Sequence, residues 1–508
     1  MSGAKAGARP RRGGRRPRRP PVPAARSGDR ARTEAGALLR DLTSPFASDR
    51  RRAAHQLARF PRSAVRIALE RSLGDPDAGV RLAASSSLGS IGDPRARPAL
   101  EGLLADVHWN VRAQAAYALS RTPHPSSVPL LVDHLAHDES ALVRNACALT
   151  LTHIGDPRAA PALERALTDE SDRVRREAVL GLERSGGPEV PARIRPLLAD
   201  PARRVRIAAA MVLGARRDRE ATPLLLDRLR RADPWERPAL LVALGRIGAP
   251  ESVEALARAA EDPMHSVRVC AIHALGEMRS PRALEVAAAK LSDRSWAVRG
   301  AAALAIGKAG RRSDAPVVVP LLRDPHPWPR RGAIYALGEL RAEAARAELR
   351  RALDDEDPEV RLAAIWALGR LADLEARPRL EEELRHLEAA PSVPGSTVAR
   401  GEGAVRLVSD AESRLFDTLV EALGALQART PEISTARLLV RAARRLTDEE
   451  WSRPARLPAP VGGGTPGGSR RELFARIGIV RPRPTPEDKS GRVYKGFRTV
   501  SPRTPGDA

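Results

Sequence analysis

Apolar positions along this chain recur with a period far longer than one helical turn. A Val-Arg pair opens an apolar run at Val80-Arg81, Val111-Arg112, Val143-Arg144, Val174-Arg175, Val205-Arg206, Val267-Arg268, Val298-Arg299 and Val360-Arg361. The spacing is 31 residues with one step of 32, and Arg50, Arg237 and Arg330 fill the remaining slots, so eleven units stand in register. With the arginine as position 0, position +7 is Leu or Ile from Leu88 to Leu368, and +8 is glycine in seven units, Gly89 to Gly369. Position −6 is aspartate at Asp75, Asp106, Asp138, Asp169, Asp200, Asp262, Asp293, Asp324 and Asp355.

Each unit predicts two helices. From Val80 to Ile91 the apolar residues fall at −1, +3, +7 and +10, one stripe of a 3.6-residue period. Gly92-Asp93-Pro94 then ends that helix, Asp93 caps the next, and Pro94 takes its first position. The second helix is expected over about Arg95 to Ala105, with Leu100, Leu103 and Leu104 on one side. Neither helix buries its apolar face alone, so neighbouring units must stack to close a core of local contacts. Aromatics are only 3% of the chain, which suits a core of closely packed Ala, Leu, Val and Ile.

The Asp and Arg six apart, the Ala-Leu-Gly segments such as Ala274-Leu275-Gly276, and Ile-Gly-Asp-Pro at 91–94 and 154–157 resemble HEAT repeats. The likeness is to the short type named after phycobilisome lyase subunits, and it covers about residues 45–388. The resemblance implies an all-α fold: a right-handed α-α superhelix of the armadillo/HEAT type, with eleven repeats and a degenerate C-terminal one. It also implies that the recurring Asp and Arg form a structural ladder: Asp75, Arg81, Asp106, Arg112, Asp138, Arg144, Asp169, Arg175, Asp200, Arg206, Asp262, Arg268, Asp293, Arg299, Asp324, Arg330, Asp355 and Arg361. In that ladder the Asp sits in the turn, and the Arg bonds to the Asp of its own or the adjacent unit. A guanidinium, with five fixed donors, suits turn carbonyls and carboxylates.

The lattice breaks at both ends. Residues 1–33 form an Arg/Pro/Gly arm with almost no large apolar side chain, read as disordered; the solenoid is placed at 34–388. Pro391, Pro394, Gly395, Gly401 and Gly403 mark residues 389–408 as a loop or insertion. Residues 409–447 are read as a degenerate capping repeat, aligned on Leu423-Gly424, with Phe416 in the arginine slot and Asp410 six before it. The tail, 448–508, is expected to be mostly disordered; Leu473, Phe474, Ile477, Ile479 and Val480, and then Val493 to Phe497, are its two apolar segments.

Net charge is +23, of which residues 1–33 carry +10 and 448–508 carry +5. The arm therefore offers weak contact to nucleic acid or another anionic surface, and the solenoid itself is only mildly basic. Two cysteines, Cys147 and Cys270, make no disulfide framework, no signal peptide is recognisable, and no apolar stretch approaches the ~18 residues of a membrane span. A soluble, cytoplasmic protein is expected. Both cysteines fall where other units have Ala, which suits small core residues.

Catalytic chemistry is not apparent. No Gly-rich phosphate loop, Ser-His-Asp set or metal-ligand spacing is recognisable, and no cofactor is expected. Deoxyhypusine hydroxylases are built from similar repeats and carry iron on paired His-Glu motifs, whereas no His-Glu dipeptide occurs here. The name of the repeat invites a bilin lyase-like role, but no reactive residue maps onto one.

The variable positions carry the functional expectation. At 100° per residue, +5 lies nearly opposite the core stripe and should line a concave groove. It reads Ser86, Tyr117, Leu149, Leu180, Met211, Val242, His273, Leu304, Tyr335 and Trp366. Position +9, on the flank, reads Ser90, Arg121, His153, Arg184, Ala215, Arg246, Glu277, Lys308, Glu339 and Arg370. Solvated positions drift towards polar residues, so an apolar row with aromatics points to protein recognition. The expected partner-binding residues are Tyr117, Leu149, Leu180, Met211, His273, Tyr335 and Trp366, with Arg121, Arg184, Arg246 and Arg370. The function expected is a non-enzymatic scaffold, and the alternative is a nucleic-acid-binding solenoid assisted by the arm. Trp109, Trp235, Trp296 and Trp328, just before the arginine, are expected to pack over adjacent turns.

Overall fold

The computed structural model describes residues 27–60, 63–389, 410–430 and 432–445, and seven further residues of the C-terminal tail. The chain divides into two compact units, residues 1–187 and 188–508. Each is a stack of helix pairs. In the first, the inner helices are Ala47–Gln56, Ala78–Ile91, Trp109–Leu119, Ala141–Ile154 and Asp172–Ser185. In the second they are Arg203–Ala215, Arg237–Ile247, His265–Met278, Trp296–Ala309, Pro327–Glu339, Pro358–Arg370 and Asp410–Arg429.

Local chemistry sets the boundaries of each pair. Gly92, Gly155 and Gly248 end their inner helices at φ of 67°, 67° and 71°, a left-handed conformation that glycine adopts at little cost. Asp93 and Asp156 then accept from the N–H of Arg95 and Arg158, with proline at the first position. The outer element is shorter as an α-helix than the sequence suggests. Pro94–Ala96 and Leu103–Ala105 are 3-10 turns flanking the α-helix Arg97–Gly102. Burial follows the stripe: Val80, Ala84 and Leu88 on the inner helix and Leu100 and Leu104 on the outer one are at most 2% exposed.

Inner helices of successive repeats pack directly on one another within each unit. The Ala-Leu-Gly segment is what permits it. A Cβ added at Gly245 would lie 2.7 Å from both Cα and Cβ of Ala274, and one at Gly276 would lie 3.0 Å from both atoms of Ala305. The same pairing joins Gly89 to Ala118, Gly214 to Ala243 and Gly307 to Ala336. Glycine +8 of one helix thus receives alanine +6 of the next, while leucine +7 between them enters the core. The last inner helix, Asp410–Arg429, uses this seam as well: a Cβ on Gly369 would meet Ala422 at 2.7 Å. There Asp410 is the first residue of a helix rather than part of a turn, because the helix extends a further turn and a half before Phe416.

The ladder has one geometry. Nη1 of Arg81 donates to the carbonyls of Asp75 and Pro76, at 2.8 and 3.1 Å. Its Nε and Nη2 reach forward to both carboxylate oxygens of Asp106, at 2.6 and 2.9 Å. Oδ1 of Asp106 also accepts from the N–H of His108 at 2.8 Å, which holds the turn. Arg50, Arg112 and Arg144 repeat this grip on Asp75, Asp138 and Asp169 in the first unit. Arg268, Arg299 and Arg330 repeat it on Asp293, Asp324 and Asp355 in the second. Arg237 reaches Asp262 through one nitrogen, at 2.7 Å. Arg175 and Arg361 donate to the carbonyls of Asp169 and Asp355, and the carbonyl of Asp200 accepts from Arg206. Burial pushes the Asp106 carboxyl up, but the bonds from Arg81 and His108 outweigh it and hold the group below the usual carboxylate range.

One rung breaks the rule. The aspartate slot before Arg237 holds Arg231, and the core valine slot holds Glu236. The Glu236 side chain is fully buried and accepts bidentate bonds from both Arg206 and Arg228, at 2.8–2.9 Å. Glu236 therefore stands in for both missing residues, because from the N-cap of the helix Arg237–Ile247 it delivers its carboxylate to the place the turn aspartate takes elsewhere.

The N- and C-terminal regions differ from the sequence reading where they are described. A helix, Ser27–Asp41, begins inside the segment expected to be a disordered arm, and it buries Ala35 and Leu38. Residues 1–26 and 390–409 lie outside the described residues, and with them all of the insertion expected at 389–408 except Ala389, which ends the helix Arg377–Ala389. Within the tail, Ile479–Val480 pairs antiparallel with Arg498–Thr499, and Leu473 is buried. These belong to or adjoin the two apolar segments, so part of a region read as disordered uses its few apolar residues for pairing. Among the described residues no helix is long and apolar enough to cross a membrane.

Candidate partner-binding groove

On the inner helices the face opposite the buried stripe is open. Ser86, Tyr117, Leu149 and Leu180 in the first unit, and Val242, His273, Leu304 and Trp366 in the second, are half-buried, and Met211 is 47% exposed. All ten residues at +9 are exposed, Arg121, Arg184, Arg246 and Arg370 among them. Apolar side chains that remain reachable by solvent form the row, and charged ones its edge.

Tyr335 departs from the expectation of an exposed anchor. It is only 4% exposed, because Trp366 of the next repeat packs edge-on against it, with ring centroids 5.1 Å apart. Burial pushes its phenol up to about 12. Arg370 lies over the other ring of the pair, 5.4 Å from the Trp366 centroid. In the first unit the Tyr117 hydroxyl is likewise engaged, accepting from Asn145 Nδ2 at 3.0 Å.

Four consecutive inner helices, Arg237–Ile247 to Pro327–Glu339, enclose a cleft of about 480 Å³. Its floor is the helix seam: Gly245, Gly276 and Gly307 with Ala274, Ala305 and Ala336. Small residues that let the helices touch also leave no side chains to fill the space above them. Val242, Leu304 and Tyr335 line the walls with half-buried Cys270 and His273. Burial, aided by the Lys308 charge, lowers the His273 pKa from 6.5, so the imidazole is neutral at pH 7. Burial raises the Cys270 thiol, which stays protonated there. The cleft is therefore an apolar trough with uncharged polar walls, suited to holding a side chain.

Charge is confined to the rim. Lys308 pairs with Glu277, and Arg370 with Glu339 at 3.1 Å. Beside these two pairs, Arg246 and Arg279 also line the cleft and make no ion pair among the described residues. Arg279, at +11, was not singled out by the sequence reading. It takes the helix-ending slot that Gly92, Gly155 and Gly248 hold in other repeats, at φ 49°; Arg217 and Arg341 do the same at 51° and 50°. The signal was present in the sequence, as an arginine where the period calls for glycine. Cys270 was read only as a core residue, yet it lines the cleft, whereas Cys147 is fully buried.

The tryptophans of the turns divide into two groups. Trp296 stacks on His326 of the next turn, with centroids 4.1 Å apart and planes within 5°. Trp328 presses on Gly300 of the previous repeat, where a Cβ would be 2.2 Å from the indole. Trp109 and Trp235 have no ring contact of this kind among the described residues and are 48% and 71% exposed, while Trp296 keeps 47% of its surface exposed despite its stacking. No three His, Cys, Asp or Glu side chains among the described residues gather as a metal-binding group.

Comparison with known proteins agrees with this architecture. The HEAT-repeat family pattern matches in seven overlapping spans, 36–120, 101–183, 164–241, 190–268, 222–307, 260–332 and 315–390. A comparison with curated proteins returns no match. Among solved structures, yeast importin-β (Kap95p) superposes with a TM-score of 0.51 at 14% identity, covering 81% of this chain and 65% of its own. A Kap95p structure concerned with the switch loops of RanGDP gives 0.49 at 13% identity, covering 84% of this chain and 67% of its own. Human deoxyhypusine hydroxylase is 24% identical over 49% of this chain and 98% of its own, with a TM-score of 0.24. The recurring Asp-Arg and Ala-Leu-Gly lattice, the stacked helix pairs and seven family matches across residues 36–390 together place this chain in the HEAT-repeat family, as a helical-repeat scaffold.

Proposed function

We propose that this protein is a non-enzymatic scaffold or adaptor of the cytosol whose inner-helix face binds protein partners. One observation carries the reading. In a repeat whose core hardly varies, the solvent-reachable +5 row changes from unit to unit and is apolar everywhere but at Ser86 and His273, with Tyr117, Leu149 and Leu180 in one unit and Met211, Val242, Leu304 and Trp366 in the other. Drift under water alone favours polar residues, whereas interface anchors are apolar and aromatic.

A photo-crosslinking amino acid placed at Leu180 or Leu304, with Glu285 on an outer helix as the control position, tests it. Crosslinks to protein at the two groove positions and not at Glu285 are the expected result. Crosslinks concentrated at Glu285 sink the reading. A second reading, nucleic-acid binding, is favoured by the eleven Lys and Arg of residues 1–33. Under it, a 34–447 fragment should still retain DNA tightly at physiological salt. Under the scaffold reading, DNA retention disappears with the arm, because the contact is counterion release alone.

A further inference from the structure

Resting on that reading, we infer that the cleft over the inner helices Arg237–Ile247 to Pro327–Glu339 receives a bulky apolar side chain of a partner segment flanked by carboxylates. The volume, about 480 Å³, lies in the range of side-chain and small-ligand sites, roughly 300–1,000 Å³. Apolar walls from Val242, Leu304 and Tyr335 select the side chain.

The rim selects the flanking charge. Its two carboxylates are already neutralised, Glu277 by Lys308 and Glu339 by Arg370, while the guanidiniums of Arg246 and Arg279 have no ionic partner among the described residues. What the rim lacks is negative charge. Arg279 has a left-handed backbone conformation that costs a non-glycine residue on the order of 1–2 kcal/mol, and the same helix ending is made by glycine in three repeats and by Arg217, Arg341 and Ala372 in three others. The arm, at +10, has the wrong sign to fill the site, and in the tail, +5 in all, only Asp448-Glu449-Glu450-Trp451 joins acidic residues to a bulky apolar one; tighter binding of the acidic peptide below by full-length Trp451→Ser would assign the site to that run rather than to another protein.

Fluorescence anisotropy with the full-length chain and a labelled octapeptide, Glu-Asp-Glu-Trp-Leu-Glu-Asp-Glu, tests the assignment. One control peptide replaces Trp-Leu by Ser-Ser, and another replaces every carboxylate residue by Lys. The parent peptide should bind at least about tenfold more tightly than either control, increasingly so at low salt. It should also slow alkylation of Cys270 by N-ethylmaleimide. R246E combined with R279E should reverse the preference towards the Lys peptide. R279G should weaken binding of the parent peptide several-fold while raising the melting temperature, a combination that a merely structural arginine does not give. Equal binding of the acidic and Lys peptides, or unchanged affinity in R246E/R279E, overturns the assignment. The broader reading is separated by the crosslinking positions. Capture of the peptide at Leu180 but not Leu304 keeps the groove and rejects the cleft, and capture only at Glu285 rejects both.

Discussion

A single guanidinium does two jobs in the regular rungs, as at Arg81. One nitrogen satisfies turn carbonyls of its own repeat, and the other two grip the carboxylate of the next. Charge-assisted bonds of this kind contribute about 1.5–3 kcal/mol each when shielded from water. Glu236 is the most deeply buried of these carboxylates. Burial raises its pKa, but the bonds and charges of Arg228 and Arg206 prevail and lower it to about 2 from an ordinary 4.5. A carboxyl depressed by folding stabilises the native state above its unfolded pKa, and that contribution is lost as pH falls towards the folded one. The expected outcome is that wild-type melting temperature falls through the window from pH 4.5 to about 2 more steeply than that of Glu236→Gln. The variant should also be the less stable of the two at pH 7. Parallel curves for the two proteins, measured by circular dichroism, would refute the assignment of that window to Glu236.

At the scale of the element, the glycine-alanine seam decides how closely inner helices approach. Gly245→Ala puts a methyl group 2.7 Å from the Ala274 backbone, so the helices must part; a loss of about 1–3 kcal/mol is expected. Gly102→Ala, in an outer helix with nothing within 4 Å of the new carbon, should instead gain up to about 1 kcal/mol from helix propensity. Chemical denaturation of the two variants gives opposite signs if the seam, rather than glycine content, is what matters. The period alone exposes the conserved spacing of Ala +6, Leu +7 and Gly +8. It does not reveal that the glycine meets the alanine of the following repeat, because that pairing belongs to two helices separated by an entire outer helix. Phe416 was placed in the arginine slot from Leu423-Gly424 alone, and the contact of Gly369 with Ala422 supports that alignment. The start of the helix Ser27–Asp41 is not legible in the sequence because its polar first turns carry no apolar signal; among its described side chains Ala35 and Leu38, further on, are the buried ones.

Within each unit of the molecule, contacts join a repeat mainly to its neighbours. Stability in such a stack is close to a sum of repeat and interface contributions, so damage stays local. Asp324→Ala removes the carboxylate that Arg299 grips and the acceptor for the His326 N–H. Hydrogen exchange should quicken over the inner helices Trp296–Ala309 and Pro327–Glu339 and stay unchanged over Ala78–Ile91. A uniform loss of protection along the chain would show a cooperative fold instead.

The sequence by itself determined the helix pairs, the register of the repeats, the aspartate-arginine ladder and the identity of the open row. It did so because each position meets the same environment in every repeat, so eleven copies report one set of constraints. Only the tertiary structure decided the forward direction of the arginine grip, the rescue of a broken rung by Glu236, and the covering of Tyr335 by Trp366. It also decided that four helices leave a cleft above their seam, rimmed by Arg246 and Arg279. Each of these depends on how side chains of different repeats meet in space, where a position's neighbours, and no longer its own periodicity, set its exposure and its partners.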